Sequence, residues 1–205
     1  MNLPNKLSLL RIILIPVTLL FMLPISIYGF EPQAWNSFIG NHGLLVAGFI
    51  FIVASLTDMF DGKIARKYNL ITNLGKFLDS LADKMLIIGV LLAFVELHRV
   101  SAWWVMVICL REFMVTGIRM LASQKGVVMA AKMIGKVKTT FQMIAIIWLM
   151  FEPTINKVIT YLFNVDPSNP IKIIGDIFFY LCVLMTIISG MDYLLKNLNY
   201  LKEAD

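Results

Sequence analysis

The chain has few charged residues and very few of the residues that build disulfides or zinc sites. Only 15% of its 205 residues are charged, whereas 59% are hydrophobic, and the mean hydropathy is +0.81. This balance excludes an ordinary soluble domain. The two cysteines, Cys109 and Cys182, lie in separate apolar runs with no motif around them, which favours small buried hydrophobes over a disulfide or metal role. The two histidines, His42 and His98, end apolar runs and are interpreted as interfacial residues.

Apolar runs of about twenty residues, the length of a membrane-spanning helix, occupy most of the chain. No internal repeat, low-complexity segment or soluble linker domain interrupts them. The sequence predicts a single all-α integral membrane domain over residues 1–205, with six transmembrane helices and a short interfacial segment at Asn2–Lys6. The predicted spans are 7–28, 43–66, 75–97, 101–124, 133–152 and 171–195. The polar stretch 153–170 is interpreted as a loop, with a helical extension of the fifth span through Leu162 as an open alternative.

The distribution of basic residues predicts the orientation of these spans. Thirteen of the eighteen Lys and Arg residues lie on the side of the chain termini, and three lie on the opposite side. Because cytoplasmic connections are rich in Lys and Arg, both termini are predicted to be cytoplasmic. The first apolar run contains Arg11 and Pro16 and ends without a small-residue cleavage site. We therefore interpret it as a retained helix and not as a signal peptide.

Four aspartates form two pairs at helical spacing. Asp58 and Asp61 lie three residues apart, Asp79 and Asp83 lie four apart, and apolar helix flanks both pairs. Such spacings put both side chains of a pair on one helix face, and carboxylates in or near lipid are too costly to leave without a cation. Carboxylate oxygens suit Mg²⁺ or Mn²⁺ better than zinc, and four negative charges favour two divalent cations. Salt bridges with nearby lysines that only fix helix packing are the open alternative.

Two glycines and an arginine near the aspartate pairs, Gly62, Gly75 and Arg66, are residues that suit a phosphate-binding site. Gly62 permits close approach of a ligand or backbone, and Arg66 on the same helix face is placed for a phosphate oxygen. Gly75, near the start of the third span, lets that helix approach the second closely. The predicted depth of the group is just under the cytoplasmic headgroups, where the phosphates of a lipid would lie.

The spacing of these residues resembles the signature of the CDP-alcohol phosphatidyltransferases at every fixed position. The pattern is Asp58-x2-Asp61-Gly62-x2-Ala65-Arg66-x8-Gly75-x3-Asp79-x3-Asp83. The resemblance implies a six-helix membrane fold, a homodimer, and metal-dependent transfer of a phosphatidyl group from CDP-diacylglycerol to an alcohol, with release of CMP. It also implies that the first three aspartates ligate metal, and that Asp83 shares in the metal site and acts as the base.

The resemblance extends to the pocket for CDP-diacylglycerol. It implies that Gly62, Ala65 and Arg66 line this pocket, with Gly75 beside them. Near the N-terminus, Asn5 and Ser8 belong to a segment that is similar to the one with which the family touches the nucleotide. A simple helix-capping role explains Asn5 or Ser8 nearly as well.

A second group of charged residues follows position 110. Arg111 lies mid-span next to Glu112, Arg119 follows eight residues later, and Lys136 and Lys138 open the fifth span. Positive-inside topology explains the shallow cations but not the deep Arg111, so the group predicts a binding site for a phosphate. The pattern resembles the branch of the family that uses glycerol 3-phosphate and forms phosphatidylglycerophosphate, in which Arg111, Arg119, Lys136 and Lys138 would hold the acceptor.

The expected protein is therefore a multi-pass enzyme of the cell membrane whose active site faces the cytoplasm. Its expected partners are CDP-diacylglycerol and glycerol 3-phosphate as substrates, membrane lipid, and a second copy of itself in a homodimer. No nucleic-acid partner is expected. The same chemistry with inositol phosphate, serine or phosphatidylglycerol as acceptor is an alternative. A divalent-metal transporter is a more distant alternative, because its carboxylates should lie near the midplane in broken or repeated helices.

Overall fold

A computed structural model describes the backbone of residues 3–67, 73–124 and 133–196, together with their side chains except at 3–4, 58–67, 73–74, 76 and 124. These residues form seven α-helices and one π-helical turn, and they contain no β-strand beyond an isolated bridge. In chain order the elements are α1 (Leu3–Met22), α2 (Gln33–Phe38), the π-turn (Ile39–Gly43), α3 (Leu44–Lys67), α4 (Asn73–Glu96), α5 (Ala102–Gln124), α6 (Met133–Phe163) and α7 (Ser168–Lys196). The predicted all-α fold is confirmed.

The six long helices correspond to the six predicted spans, with shifted ends. α1 ends at Met22 rather than at residue 28, because Pro24 has no backbone N–H and disfavours helix at the residue before it. α6 continues past Pro153 to Phe163, as in the alternative with an extended fifth span. At the N-terminus the helix already includes Leu3, so the segment predicted to lead into the first span forms its first turn.

Within the part of the chain that the structure describes, four segments are long and apolar enough to cross a membrane: Asn5–Met22, Gln33–Thr57, Met133–Phe163 and Ser168–Lys196. α4 and α5 have sufficient length, at 24 and 23 residues, but every stretch of 18 residues within them holds at least three charged residues. Those charges include the predicted site residues of α4 and α5. α4 and α5 thus contain more charged residues than a simple membrane-spanning helix, and some of these charges are predicted site residues.

The connection between α1 and α3 contains structure that the sequence analysis did not predict. Ile27 and Phe30 exchange backbone hydrogen bonds of 3.2 and 2.8 Å across Tyr28 and Gly29, whose φ angles are 46° and 84°. Positive φ at both central residues is characteristic of the tight two-residue turn. After this turn, Asn36 of α2 donates to the Ile25 carbonyl and accepts from its N–H, both at 2.9 Å, which ties α2 to the end of α1.

The chain divides into two compact units, of which the first comprises residues 1–100 and 149–167. In this unit α1 packs against both α3 and α4. Small residues with no exposed surface lie on the packed helices, among them Ala47 and Ala54 of α3 and Ala82 of α4. Small side chains allow helix backbones in a membrane to approach closely, where van der Waals contact provides the association energy.

The second unit comprises residues 101–148 and 168–205. Here α5 packs against α7, and Val115, Ile118 and Tyr193 form a buried cluster. The N-terminal part of α6 belongs to the same unit, and the Trp148 indole N–H donates to the Ile171 carbonyl of α7 at 3.3 Å. This unit contains the residues predicted to bind the acceptor.

Candidate active site

The aspartate motif lies on α3 and α4, on either side of the short connection between them. The backbone of α3 is helical through Asp58 and Asp61, and α4 carries Asp79 and Asp83 in its first half. The side chain of Asp79 is 47% exposed, and Asp83 is also exposed. Both carboxylates of α4 are thus at least partly accessible, and both lie in the N-terminal half of the helix.

Several predicted site residues fall outside the side chains that the structure describes. Their backbones continue α3 to Lys67, which supports the helical spacing on which the prediction rests. The residues concerned are Asp58, Asp61, Gly62, Ala65 and Arg66. Gly75 is described and lies half-buried in the first turn of α4.

A buried arginine contacts the aspartate motif. Arg11 of α1 is 1% exposed, and its Nη1 donates to Oδ1 of Asp79 at 3.1 Å. Because a guanidinium is always charged in a protein, this contact brings a permanent positive charge to one of the carboxylates. From the sequence, Arg11 was not predicted to belong to the site, although an ionisable residue inside a span is itself a sign of a functional site.

Asn5 and Ser8 lie on the same buried face of α1 as Arg11. They are 6% and 3% exposed, and their spacing of three residues from one to the next places all three side chains on one side of the helix. Both residues lie inside α1, which begins at Leu3. The capping alternative is therefore wrong, because an N-cap residue precedes the helix. Asn5, Ser8 and Arg11 therefore form a polar stripe in the N-terminal half of α1, and Arg11 of this stripe contacts the aspartate motif.

The chemistry of the described donors fits a hard divalent cation. Asp79 and Asp83 provide accessible carboxylate oxygens, which are the ligands that Mg²⁺ and Mn²⁺ prefer. Among the side chains that are described, no three Asp, Glu, His or Cys residues form a possible metal site, and Asp58 and Asp61 are not among those side chains. A site built from both pairs remains a prediction from the motif.

Arg111, in the second unit, makes polar contacts with a residue of α7 and with its own neighbour in α5, and it lies close to α6. Its Nε donates to the Ser189 hydroxyl of α7 at 3.2 Å, and its Nη1 lies 3.4 Å from Oε1 of the neighbouring Glu112. A Cβ atom added to Gly135 of α6 would lie 3.8 Å from Nη2. Arg111 is about 14 Å along α5 from its first residue, and its side chain is 12% exposed. The deep, paired arginine predicted from the sequence is thus confirmed as a feature of the structure.

Lys138 lies almost completely buried beside Arg111. It is 1% exposed, and its ammonium group donates to Oε1 of Glu112 and, at 2.6 Å, to Oε1 of Gln142. Glu112 therefore links two of the cations predicted to hold the acceptor. From the sequence, Glu112 had no expected role beyond its pairing with Arg111, and the burial of Lys138 was not predicted.

The other two predicted acceptor residues are at the surface. Lys136 is exposed on α6. Arg119 is exposed on α5, with its guanidinium carbon 5.5 Å from the centre of the Tyr193 ring, a cation–π distance. The second unit thus combines buried and exposed cations on α5 and α6.

The whole chain is similar to known proteins. The model of the CDP-alcohol phosphatidyltransferase family matches residues 1–190, which include the aspartate motif, the buried stripe of α1 and the Arg111 cluster. The chain belongs to the CDP-alcohol phosphatidyltransferase family, as the motif predicted.

Several full-length relatives carry the same description. A Bacillus subtilis protein described as CDP-diacylglycerol–glycerol-3-phosphate 3-phosphatidyltransferase is 39% identical over 209 residues, which cover 100% of this chain and 99% of that protein. Proteins with the same description from Rickettsia felis and Shigella flexneri serotype 5b are each 34% identical and cover 94% of this chain and 93% of their own length. The similarity therefore extends over nearly the full length of this chain and of each of these relatives.

Proposed function

We propose that this protein transfers a phosphatidyl group from CDP-diacylglycerol to glycerol 3-phosphate, giving phosphatidylglycerophosphate and CMP. Full-length similarity to relatives with that described activity carries the proposal. The structure adds a buried, charged cluster around Arg111 in the unit that holds the predicted acceptor residues. A metal transporter is disfavoured because α4, which carries Asp79 and Asp83, is an unbroken helix, whereas transporter sites are typically formed by broken helices.

The donor would be bound by residues of the motif and of α1. Asn5 and Ser8 present polar groups on the buried stripe of α1, and the proposal assigns them to the CDP end of the donor together with Gly62, Ala65, Arg66 and Gly75. Asp58, Asp61, Asp79 and Asp83 would hold two Mg²⁺ or Mn²⁺ ions, which when bound would offset the negative charge of the diphosphate. Arg11 fixes one oxygen of Asp79.

In the chemical step, the free primary hydroxyl of glycerol 3-phosphate attacks the phosphorus that bears diacylglycerol. The new bond joins that oxygen to phosphorus, the bond from phosphorus to the CMP oxygen breaks, and CMP leaves with the electron pair. Asp83 accepts the hydroxyl proton, a role that suits an exposed carboxylate. Arg66 would balance the charge on the departing CMP.

The acceptor phosphate is assigned to Arg111, Arg119, Lys136 and Lys138. Arg111 is the residue best prepared for this role, because a guanidinium binds phosphate through two parallel hydrogen bonds when its plane is fixed. Lys136 and Arg119 are exposed and would attract the phosphate from water. We further propose that the enzyme is a homodimer in the cell membrane and that its active site faces the cytoplasm.

The proposal is tested by measuring CMP release by the purified protein with CDP-diacylglycerol, Mg²⁺ and a panel of alcohols. We expect turnover with glycerol 3-phosphate and little or none with inositol phosphate, serine or phosphatidylglycerol. Activity with inositol phosphate alone would contradict the choice of acceptor, and no CMP release with any alcohol would contradict the whole reaction. Asp83→Asn should fold normally and release CMP at least about 100-fold more slowly; wild-type rates would refute Asp83 as the base.

A further inference from the structure

Two adjacent residues of α7, Ser189 and Gly190, lie against the Arg111 side chain. The Ser189 hydroxyl accepts the Nε–H of Arg111 at 3.2 Å and donates to the Thr186 carbonyl of its own helix at 3.2 Å. The hydrogen bond to Thr186 fixes the rotation of the Ser189 hydroxyl group, so that an oxygen lone pair faces Arg111. Ser189 is 4% exposed, so this hydrogen bond is shielded from water.

Gly190 provides the space in which Arg111 crosses α7. A Cβ atom added to Gly190 would lie 2.9 Å from Cγ and 3.8 Å from Cβ of Arg111. The first distance is shorter than carbon atoms tolerate without displacement. Cγ is close to the root of the side chain, so relief of this contact must move the guanidinium group as well. Any side chain at position 190 would therefore displace Arg111.

The described polar contacts of Arg111 involve its Nε and Nη1 atoms. Nε is bound to Ser189, and Nη1 faces Glu112. On the Nη2 side, a Cβ atom at Gly135 would meet no described heavy atom within 4 Å other than Nη2 itself. The plane of the guanidinium is therefore fixed through Nε and Nη1, and its Nη2 end faces Gly135 of α6, which has no side chain to occupy that position.

We propose that Ser189 and Gly190 are positioning residues that orient Arg111 towards the phosphate of the acceptor. The inference rests on the proposed function, and it extends that function to a helix that carries none of the predicted site residues. A preoriented guanidinium loses less freedom when it binds phosphate. The serine and the glycine should therefore affect affinity for the acceptor more than the rate of the chemical step.

The test compares the KM for glycerol 3-phosphate of two alanine variants in the full-length protein. Gly190→Ala should raise this KM about tenfold, with the KM for CDP-diacylglycerol nearly unchanged. Gly117→Ala is the matched control, because a Cβ atom at Gly117 of α5 would meet no described atom within 4 Å, and its KM should stay within about twofold of wild type. Equal KM values for the two variants would overturn the inference.

A double-mutant cycle separates positioning from simple packing. Ser189→Ala should raise the KM for glycerol 3-phosphate about three- to tenfold in the wild-type background. In an Arg111→Lys background it should have no further effect, since lysine retains the charge but has no Nε–H for Ser189 to accept. The same fold-change in both backgrounds would overturn the inference even if Gly190→Ala failed to fold. Absence of wild-type turnover with glycerol 3-phosphate would instead overturn the proposed function, and this inference with it.

Discussion

The pair formed by Glu112 and Lys138 allows a quantitative prediction, because its two members differ in burial. The Lys138 side chain is 2% exposed, and its ammonium contacts only Glu112 and Gln142 among the described residues. The Glu112 side chain is 20% exposed and has a second cation, Arg111, 3.4 Å away. Removal of Glu112 therefore leaves a buried ammonium without a counter-charge, whereas removal of Lys138 leaves a partly exposed carboxylate beside Arg111.

Glu112→Ala should destabilise the protein strongly. It leaves the ammonium of Lys138 buried with a neutral amide as its remaining partner, and a buried charge without its counter-charge costs about 3–5 kcal/mol. For a chain of this size that corresponds to a fall of about 6–20 °C in melting temperature. Lys138→Met keeps most of the side-chain volume and leaves Glu112 beside Arg111, but it removes the hydrogen-bond donor to the buried Oε1 of Gln142, so its cost should be about 1–3 kcal/mol.

The assay is thermal unfolding in detergent, with the two single variants and their combination. Glu112→Ala with Lys138→Met should melt well above Glu112→Ala alone, because the buried charge has been removed. Asp192→Ala is the control, since its partner Lys196 is 61% exposed, so no charge is left buried and the cost should be less than about 1 kcal/mol. Equal losses for Glu112→Ala and Lys138→Met, or a double variant no more stable than Glu112→Ala, would refute the reasoning.

Three further predictions concern metal, packing and acceptor binding. Chelation of divalent cations should abolish CMP release and Mg²⁺ or Mn²⁺ should restore it; full activity after exhaustive chelation would contradict the metal site. Gly48→Ala should cost about 1–3 kcal/mol, because its Cβ atom would lie 2.7 Å from the Phe151 ring, whereas Gly117→Ala should cost nothing measurable in the same unfolding assay. Lys136→Gln should raise the KM for glycerol 3-phosphate without lowering the melting temperature, since Lys136 is exposed; an unchanged KM would remove Lys136 from the acceptor site.

The helices and the family could be predicted because their signals are local. Run length identifies a membrane helix, and the aspartate motif is a fixed pattern within 26 residues. Helix ends were less well predicted. Pro24 ends α1 before the apolar run is exhausted, whereas Pro153 lies inside α6, so proline alone does not predict where a helix ends.

The contacts of the site could not be predicted because they join distant parts of the chain. Arg11 and Asp79 are 68 residues apart, and Arg111 and Ser189 are 78 apart. Serine and glycine are common in apolar membrane helices, so nothing in the sequence distinguishes Ser189 and Gly190 from residues that only pack. Likewise, the sequence places Lys138 among the cations of α6 but does not show which side of the helix is buried.

The charges of α4 have a consequence for how the protein enters the membrane. Each Asp or Lys near the middle of a span opposes insertion by about 2.5–3.5 kcal/mol, with smaller costs towards the ends, and α4 contains Lys76, Asp79, Asp83 and Lys84 in its first half. Insertion of α4 should therefore depend on α1, which is synthesised first and offers Arg11 to Asp79. In a translocation assay α4 alone should insert less completely than α4 preceded by α1–α3, and equal insertion would disprove this dependence. Arg11, which contacts the carboxylate of Asp79 in the predicted metal site, would then also promote insertion of α4 into the bilayer.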